Sequence, residues 1–421
     1  MAEGFAELLN FLSAQRIDVQ KMAVEGVLGL SEDADFLRHC QSHPRKVARP
    51  LLRLVEKTEA EIPVQLAIVE ANEASKAELE AAANEATLLG GARTEALRSL
   101  VNLSSVPTVR DQLVALGAPN RCIEAIRSGW LEGRIGGAQW YAMVLANITT
   151  TKAGQEAVIK EESLLRFLIG AYTSKHVGKE DPLITLGRVL CNISSDPNGR
   201  RMLAGGEESS TLALLTQELS NRGRRVDVLS IIGNFCIDEK YHAVVDQTEF
   251  FPLLSLFVYP LEKVSAQEQE ALPEALRATL KSEGAAFTSD VAVRTSACTC
   301  VVALCRSATG RNYLRRLGGV EVLRAWMLQE TTDNRSGLEA VLRTLRLSEK
   351  ELQEALEVEG DPAGEALPAR EALPAEEGPA VQAALPVVRE GPLPEPFHPG
   401  ESGDGDNLDD LAGIFEGITD D

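Results

Sequence analysis

No run of 18 consecutive apolar residues occurs in this 421-residue chain, so no membrane-spanning helix is expected. The first residues, Met-Ala-Glu-Gly-Phe-Ala-Glu, lack the basic start and apolar stretch of a signal peptide. Cysteine is scarce: seven residues, an odd number without framework spacing, which points to reduced thiols and a cytoplasmic setting. No phosphate-binding loop, dinucleotide fingerprint or paired-carboxylate motif is present, so no cofactor is expected and the chain reads as a non-enzyme. Positive charge is also short, with 42 Lys and Arg against 63 Asp and Glu, a net charge of −21. The deficit is uneven. Residues 361–421 hold 15 acids and two arginines, net −13, which leaves −8 for residues 1–360. That balance argues against nonspecific nucleic-acid binding, which works by neutralising phosphates.

What the chain does have is a phrase that returns. An apolar helical stretch ends in Asn-Leu-Ser-Ser at Asn102, Asn-Ile-Thr-Thr at Asn147, Asn-Ile-Ser-Ser at Asn192 and Asn-Phe-Cys at Asn234. The asparagines lie 45, 45 and 42 residues apart. Eight positions after them stand Arg110, Gln155, Arg200 and His242. A fifth copy, Val302-Ala303-Leu304-Cys305, lacks the Asn but keeps Arg311, and Gly29-Leu30-Ser31 is a weak early copy. Asp196-Pro197 reads as a helix N-cap followed by proline at the first helical position. A helical period of this length is that of armadillo and HEAT repeats, whose units bury their apolar faces only against each other. The expected fold is all-α, a right-handed armadillo/HEAT-like α-solenoid with a disordered acidic C-terminal tail.

Five segments follow from the pattern. Residues 1–91 hold N-terminal helices and a degenerate repeat, in which His43-Pro44 and Arg49-Pro50 break the chain and Gly90-Gly91 ends an alanine- and glutamate-rich helical stretch from 59 to 89. Residues 92–258 are the regular array. Residues 259–290, opening at Tyr259-Pro260, are an irregular insertion of the kind that is usually functional or disordered. Residues 291–360 supply a last repeat and capping helices, with Ser348 and Glu351 as a capping box. Residues 361–421 contain nine prolines and eight glycines and are expected to be disordered.

Each constellation has two readings. The amides of Asn102, Asn147, Asn192 and Asn234 offer donor and acceptor together and suit an extended peptide, or they satisfy the junction between units. The former reading makes them protein-binding candidates. Armadillo import adaptors place Trp four residues before such an Asn; here those positions hold Arg98, Met143, Arg188 and Ser230. Arg188, Arg200, Arg201, Arg222, Arg224 and Arg225 form either a solvated face or a basic patch for an acidic partner or the chain's own tail. Leu408, Leu411, Ile414, Phe415 and Ile418 make an apolar stripe in that tail, fit for a partner's groove or part of a plain solubilising segment. Cys298, Cys300 and Cys305 invite zinc, but residues two apart on a helix diverge and no His is near, so no metal is expected. Cys236 with His242 is the one pair that suggests an enzyme, without an oxyanion-hole signal beside it.

Several phrases together resemble a known family. They are Ala96-Leu-Arg-Ser-Leu-Val-Asn-Leu-Ser, Met143-Val-Leu-Ala-Asn-Ile-Thr, and Asn234-Phe-Cys-Ile-Asp238 with His242. Phe251-Pro-Leu-Leu254, Pro260-Leu261, the acidic run to Leu272-Pro273 and Gly310-Arg-Asn-Tyr-Leu-Arg315 complete the set. Over about residues 5–350 the chain is similar to the Hgh family of armadillo-like cytosolic proteins. Its members assist the folding of translation elongation factor two with the chaperonin TRiC. The resemblance implies a non-catalytic scaffold whose partners are that elongation factor and TRiC, with no nucleic acid and no membrane. A general armadillo peptide-binding adaptor is the alternative.

Overall fold

The computed structural model describes residues 2–71, 74–131, 137–174, 181–205 and 211–352; among these there are helices and short 3-10 turns and no strand. The period of the Asn phrase becomes a row of stacked helices. Ile17–Gly29, Lys76–Leu103, Ala138–Ile148, Leu186–Ser195, Arg225–Ile237, Val291–Leu304 and Asn334–Arg346 each pack on the next. A second row, Ala118–Leu131, Glu162–Thr173, Thr211–Gln217, Phe250–Val258 and Gly319–Gln329, also packs in succession. The core lies between the rows: Leu145, Leu190, Ile231, Phe235, Val301 and Trp326 are fully or almost fully buried. Burial of one such side chain contributes about 1.5–3 kcal/mol, and no single unit encloses enough of them to stand alone.

Short helices bridge the rows. Lys152–Ile159, Pro197–Ala204 and Ala308–Arg316 each begin just after a first-row helix ends. The cap of the second is the one the sequence announces. Asp196 accepts from the backbone N–H of Asn198 at 2.8 Å and of Gly199 at 3.2 Å, with Pro197 at the first position. Thr151 and Ser307 cap Gly154 and Gly310 likewise. These three glycines share one cause. A Cβ at Gly154, Gly199 or Gly310 would sit 2.0–2.1 Å from the carbonyl oxygen of Ile148, Ile193 or Leu304. The bridging helix crosses that close, and only glycine fits.

Three sequence expectations change. Gly90-Gly91 does not end a helix: Lys76–Leu103 runs through it, so a boundary at 91 falls inside one element. Packing along Ile17–Gly29 holds the helix, and a Cβ at Gly91 would meet the Lys21 side chain at 2.9 Å. Pro50 does not break the chain either. Pro44 starts a helix that continues to Ala71 through both Pro50 and Pro63, because Val47, Ala48, Leu51, Leu52, Leu54 and Val55 are buried on either side of Pro50. Tertiary burial there outweighs the backbone hydrogen bond that proline removes. The distal halves of Pro44–Ala71 and Lys76–Leu103 project as a hairpin in which, from residue 60 to 88, Ala82 alone among the described residues is fully buried. The insertion, third, is folded onto the array. Leu272, Leu276 and Leu280 are buried, and Ala286 and Thr288 donate backbone N–H groups to Leu256 and Phe257 at 2.9 and 2.8 Å. The capping box at Ser348 and Glu351 is present. The tail 361–421, with Leu408, Leu411, Ile414 and Phe415, lies outside the described residues.

Candidate functional site

The repeated asparagines end their helices on the first row, and each reaches back one unit. Asn147 Nδ2 donates to the Val101 carbonyl at 3.0 Å and to Ser104 Oγ at 2.8 Å. Asn192 does the same to Ala146 and Thr149 at 3.0 and 3.1 Å, and Asn234 to Cys191 and Ser194 at 3.2 and 2.8 Å. The rule is constant: the acceptors are the residue before the previous Asn and the hydroxyl two after it. Asn102, at the start, donates to Ser31 Oγ at 2.8 Å, so Gly29-Leu30-Ser31 is a true first rung.

The residue eight positions on reaches forward. Arg110 donates to Thr150 Oγ1 at 3.0 Å and Gln155 to Ser195 Oγ at 3.2 Å. Arg200 holds the Ser194 and Ser195 carbonyls at 2.9 Å and lies 3.8 Å from Asp238 of the next unit. Arg311 holds Cys305 and Arg306 and pairs with Glu349. His242 fills this place in the fourth unit. Its Nε2 is 2.6 Å from the Cys236 carbonyl, which can only accept, so that nitrogen carries the proton; Nδ1, 2.5 Å away, takes the Ser307 hydroxyl. The phrase is therefore a two-way seam. Orphan carbonyls at helix ends are met by side chains of neighbouring units.

The seam consumes only half of each amide. Among the described residues nothing donates to the Oδ1 atoms of the half-buried Asn147, Asn192 and Asn234. Met143, Arg188 and Ser230, one turn earlier on the same helices, are half-buried beside them. The row presents acceptors at the repeat spacing, flanked by an apolar side chain and a cation.

The arginines from 188 to 225 do not gather. Arg188 pairs with Asp227 at 3.0 Å. Arg224 is buried; its Nε lies 2.8 Å from Asp181, it also pairs with Glu218 at 2.7 Å, and it stacks 4.5 Å from the Tyr172 ring. Arg225 donates to the Leu219 carbonyl at 2.9 Å and covers Phe257. Arg201 and Arg222 are exposed. Sequence clustering reflected how many junctions need a cation, not one surface. A cationic group that sequence reasoning passed over lies elsewhere. Arg45, Lys46, Arg49 and Arg53 are exposed at the start of the helix from Pro44. Its signal is legible afterwards: no Asp or Glu occurs from Phe36 to Val55.

Six of the cysteines are buried, Cys191 is half-buried, and none is paired in a disulfide. Burial pushes Cys122, Cys191, Cys298 and Cys305 up to about 12. Burial, and then the neighbouring Cys300, raise Cys236 further, while His242 addresses its backbone rather than its sulfur. Among the described residues no three His, Cys, Asp or Glu side chains are placed to hold a metal ion. No single described helix is long and apolar enough to cross a membrane.

Comparison with known proteins places this array. Residues 135–292, which carry Asn147, Asn192, Asn234 and the insertion, match a domain of unknown function, DUF383. A protein named Protein HGH1 homolog from Drosophila pseudoobscura pseudoobscura is 26% identical over 196 residues, 44% of this chain and 52% of its own length. Its namesake from Drosophila melanogaster is 25% identical over 247 residues, 55% of this chain and 66% of its own. The chain thus spans about half to two thirds of the length of these relatives. Among solved structures, two crystal structures of engineered proteins are similar at 15% identity. One has a TM-score of 0.47 over 61% of this chain and 90% of its own; the other has 0.40 over 82% and 99%.

Proposed function

We propose that this chain, which carries the DUF383 domain of the HGH1 family, is a non-catalytic helical scaffold that binds a protein along the first-row helices. The observation that carries this reading is the set of unclaimed Oδ1 acceptors on Asn147, Asn192 and Asn234. They recur at the repeat spacing on helices fixed from both sides. An extended or partly folded polypeptide supplies backbone N–H donors to such a row. Met143 offers an apolar contact, and Arg188, held half-exposed by Asp227, offers charge. Asn102 and Arg200 act through the seam, and Arg224 and Arg225 tie the start of their helix to neighbouring segments, so all four support the row rather than face a partner.

The client is translation elongation factor two, bound during its folding in the cytoplasm with the chaperonin TRiC. This finer reading rests on the sequence resemblance. A general adaptor for extended peptides uses the same acceptors and is the second reading. Binding of purified elongation factor two, native and partly unfolded, to the full chain separates them. Client capture that falls at least about tenfold in Met143→Glu, with the melting temperature kept, supports the row as the site. Equal capture of unrelated unfolded proteins supports the adaptor. No capture of either removes the row from function.

A further inference from the structure

Arg45, Lys46, Arg49 and Arg53 are four exposed cations within about 12 Å of helix rise. Arg45, Arg49 and Arg53 follow at i, i+4 and i+8, so they form one stripe. With Pro44 and Pro50 they line a shallow depression. None of the four makes an ion pair with a described residue, and the acids nearest in sequence are engaged elsewhere: Asp35 with Arg38, Glu56 with Arg121. Arg188, Arg224, Arg294 and Arg311, by contrast, are each matched by a carboxylate, in a chain of net −21. The positive end of the helix dipole adds to the stripe's field.

We infer that this stripe is a docking surface for an acidic polypeptide, and that its resident occupant is the chain's own C-terminal segment 401–421. Charge complementarity selects it. That segment holds Glu401, Asp404, Asp406, Asp409, Asp410, Glu416, Asp420 and Asp421 and no Lys or Arg. Length permits it. From Leu352, the last described residue, 56 residues lead to Leu408. A flexible chain of that length has an r.m.s. span of about 37–45 Å. Five first-row steps of about 8–10 Å each separate the last helix from the one beside the stripe, some 40–50 Å. The reach matches the span, which is where tethering gives its largest effective concentration. Exposed ion pairs are individually weak, so the contact is salt-sensitive and gives way to a more acidic partner.

Zero-length carbodiimide coupling of the full chain tests this, because it joins an amine only to a carboxylate in contact with it. At low salt, Lys46 couples to acids of 401–421 within one molecule, as mixing isotope-labelled and unlabelled chains establishes. The yield falls about tenfold at half-molar salt, where screening shortens to a few ångströms. It falls similarly in Arg45→Glu/Arg49→Glu/Arg53→Glu and in Asp409→Asn/Asp410→Asn, the second of which leaves the helical body untouched. Coupling of the tail to Lys240 instead, which lies in the unit of Arg225, overturns the assignment. So does a yield indifferent to charge reversal. Tight binding of a single-stranded oligonucleotide to the full chain, without tail coupling, makes the stripe a nucleic-acid site and also overturns it.

Discussion

Arg294 Nε and Glu330 Oε2 lie 2.9 Å apart with both side chains almost completely removed from solvent. They join the start of one first-row helix to the end of the second-row helix Gly319–Gln329. Trp326 Nε1 donates to the same oxygen at 3.0 Å, Thr332 Oγ1 and two backbone N–H groups serve the other, and Arg294 reaches Thr288 at the end of the insertion. Burial pushes the Glu330 carboxyl up, but the bonds from Arg294, Trp326 and Thr332 prevail and hold it at about 2. Its folded pKa is below the unfolded one. The stabilisation is therefore complete above about pH 4.5 and drains away as the pH falls toward 2. Glu330→Gln should cost about 3–5 kcal/mol, since it leaves Arg294 buried and unpaired. It should also flatten the acid limb of a stability–pH curve. An unaltered acid limb in chemical denaturation contradicts this.

Asn192→Ala should lower stability by about 1–3 kcal/mol, because the Ala146 carbonyl and Thr149 hydroxyl lose their donor. Asn192→Asp should cost more, placing a carboxylate against that carbonyl. Urea midpoints of the two variants, compared at neutral pH, decide it; equal midpoints mean that the seam contributes little.

Gly199→Ala should be among the most damaging single-methyl additions in the chain. Its Cβ would lie 2.0 Å from the Ile193 oxygen, so the bridging helix must shift. Gly29→Ala, where nothing lies within 4 Å, should be neutral or slightly stabilising. Thermal melts of the two variants are expected to move in clearly different degree.

Thiol reagents should leave native Cys122, Cys298 and Cys305 untouched at pH 8, since burial keeps these thiols protonated and out of reach. All seven cysteines should react after denaturation. Rapid labelling of any of these three in the native chain contradicts the packing described.

The 42–45 residue period was legible because the Asn, the hydroxyl two after it and the polar residue eight after it are one seam seen repeatedly in the sequence. The helical character of 59–89 was legible too, but the bounds of the two helices that carry it were not. Gly90-Gly91 and Pro50 carry strong local signals against helix, and burial contributed by residues far along the chain overrides them. The arginines misled for a related reason. Counting cations on the chain says nothing about carboxylates brought by folding, as Asp181 and Glu218 are brought to Arg224. The stripe at Arg45 leaves only a lack as its mark in the sequence, the acid-free run around it. The Asn acceptors need three-dimensional accounting, since only the structure shows which end of each amide the seam takes.

The seam also has a direction in time. Every Asn finds its acceptors on a unit that precedes it in the chain, as Asn234 does on Cys191 and Ser194. When such a unit leaves the ribosome, its partner has already been made, and domains mature N-terminal end first during synthesis. Loss of units from the C-terminal end leaves every remaining Asn satisfied. Loss from the N-terminal end strands the first one it meets. A growing chain is therefore never left with one of these asparagines waiting on what has yet to be translated; the forward bonds of Arg110 and Gln155 are added when the next unit emerges.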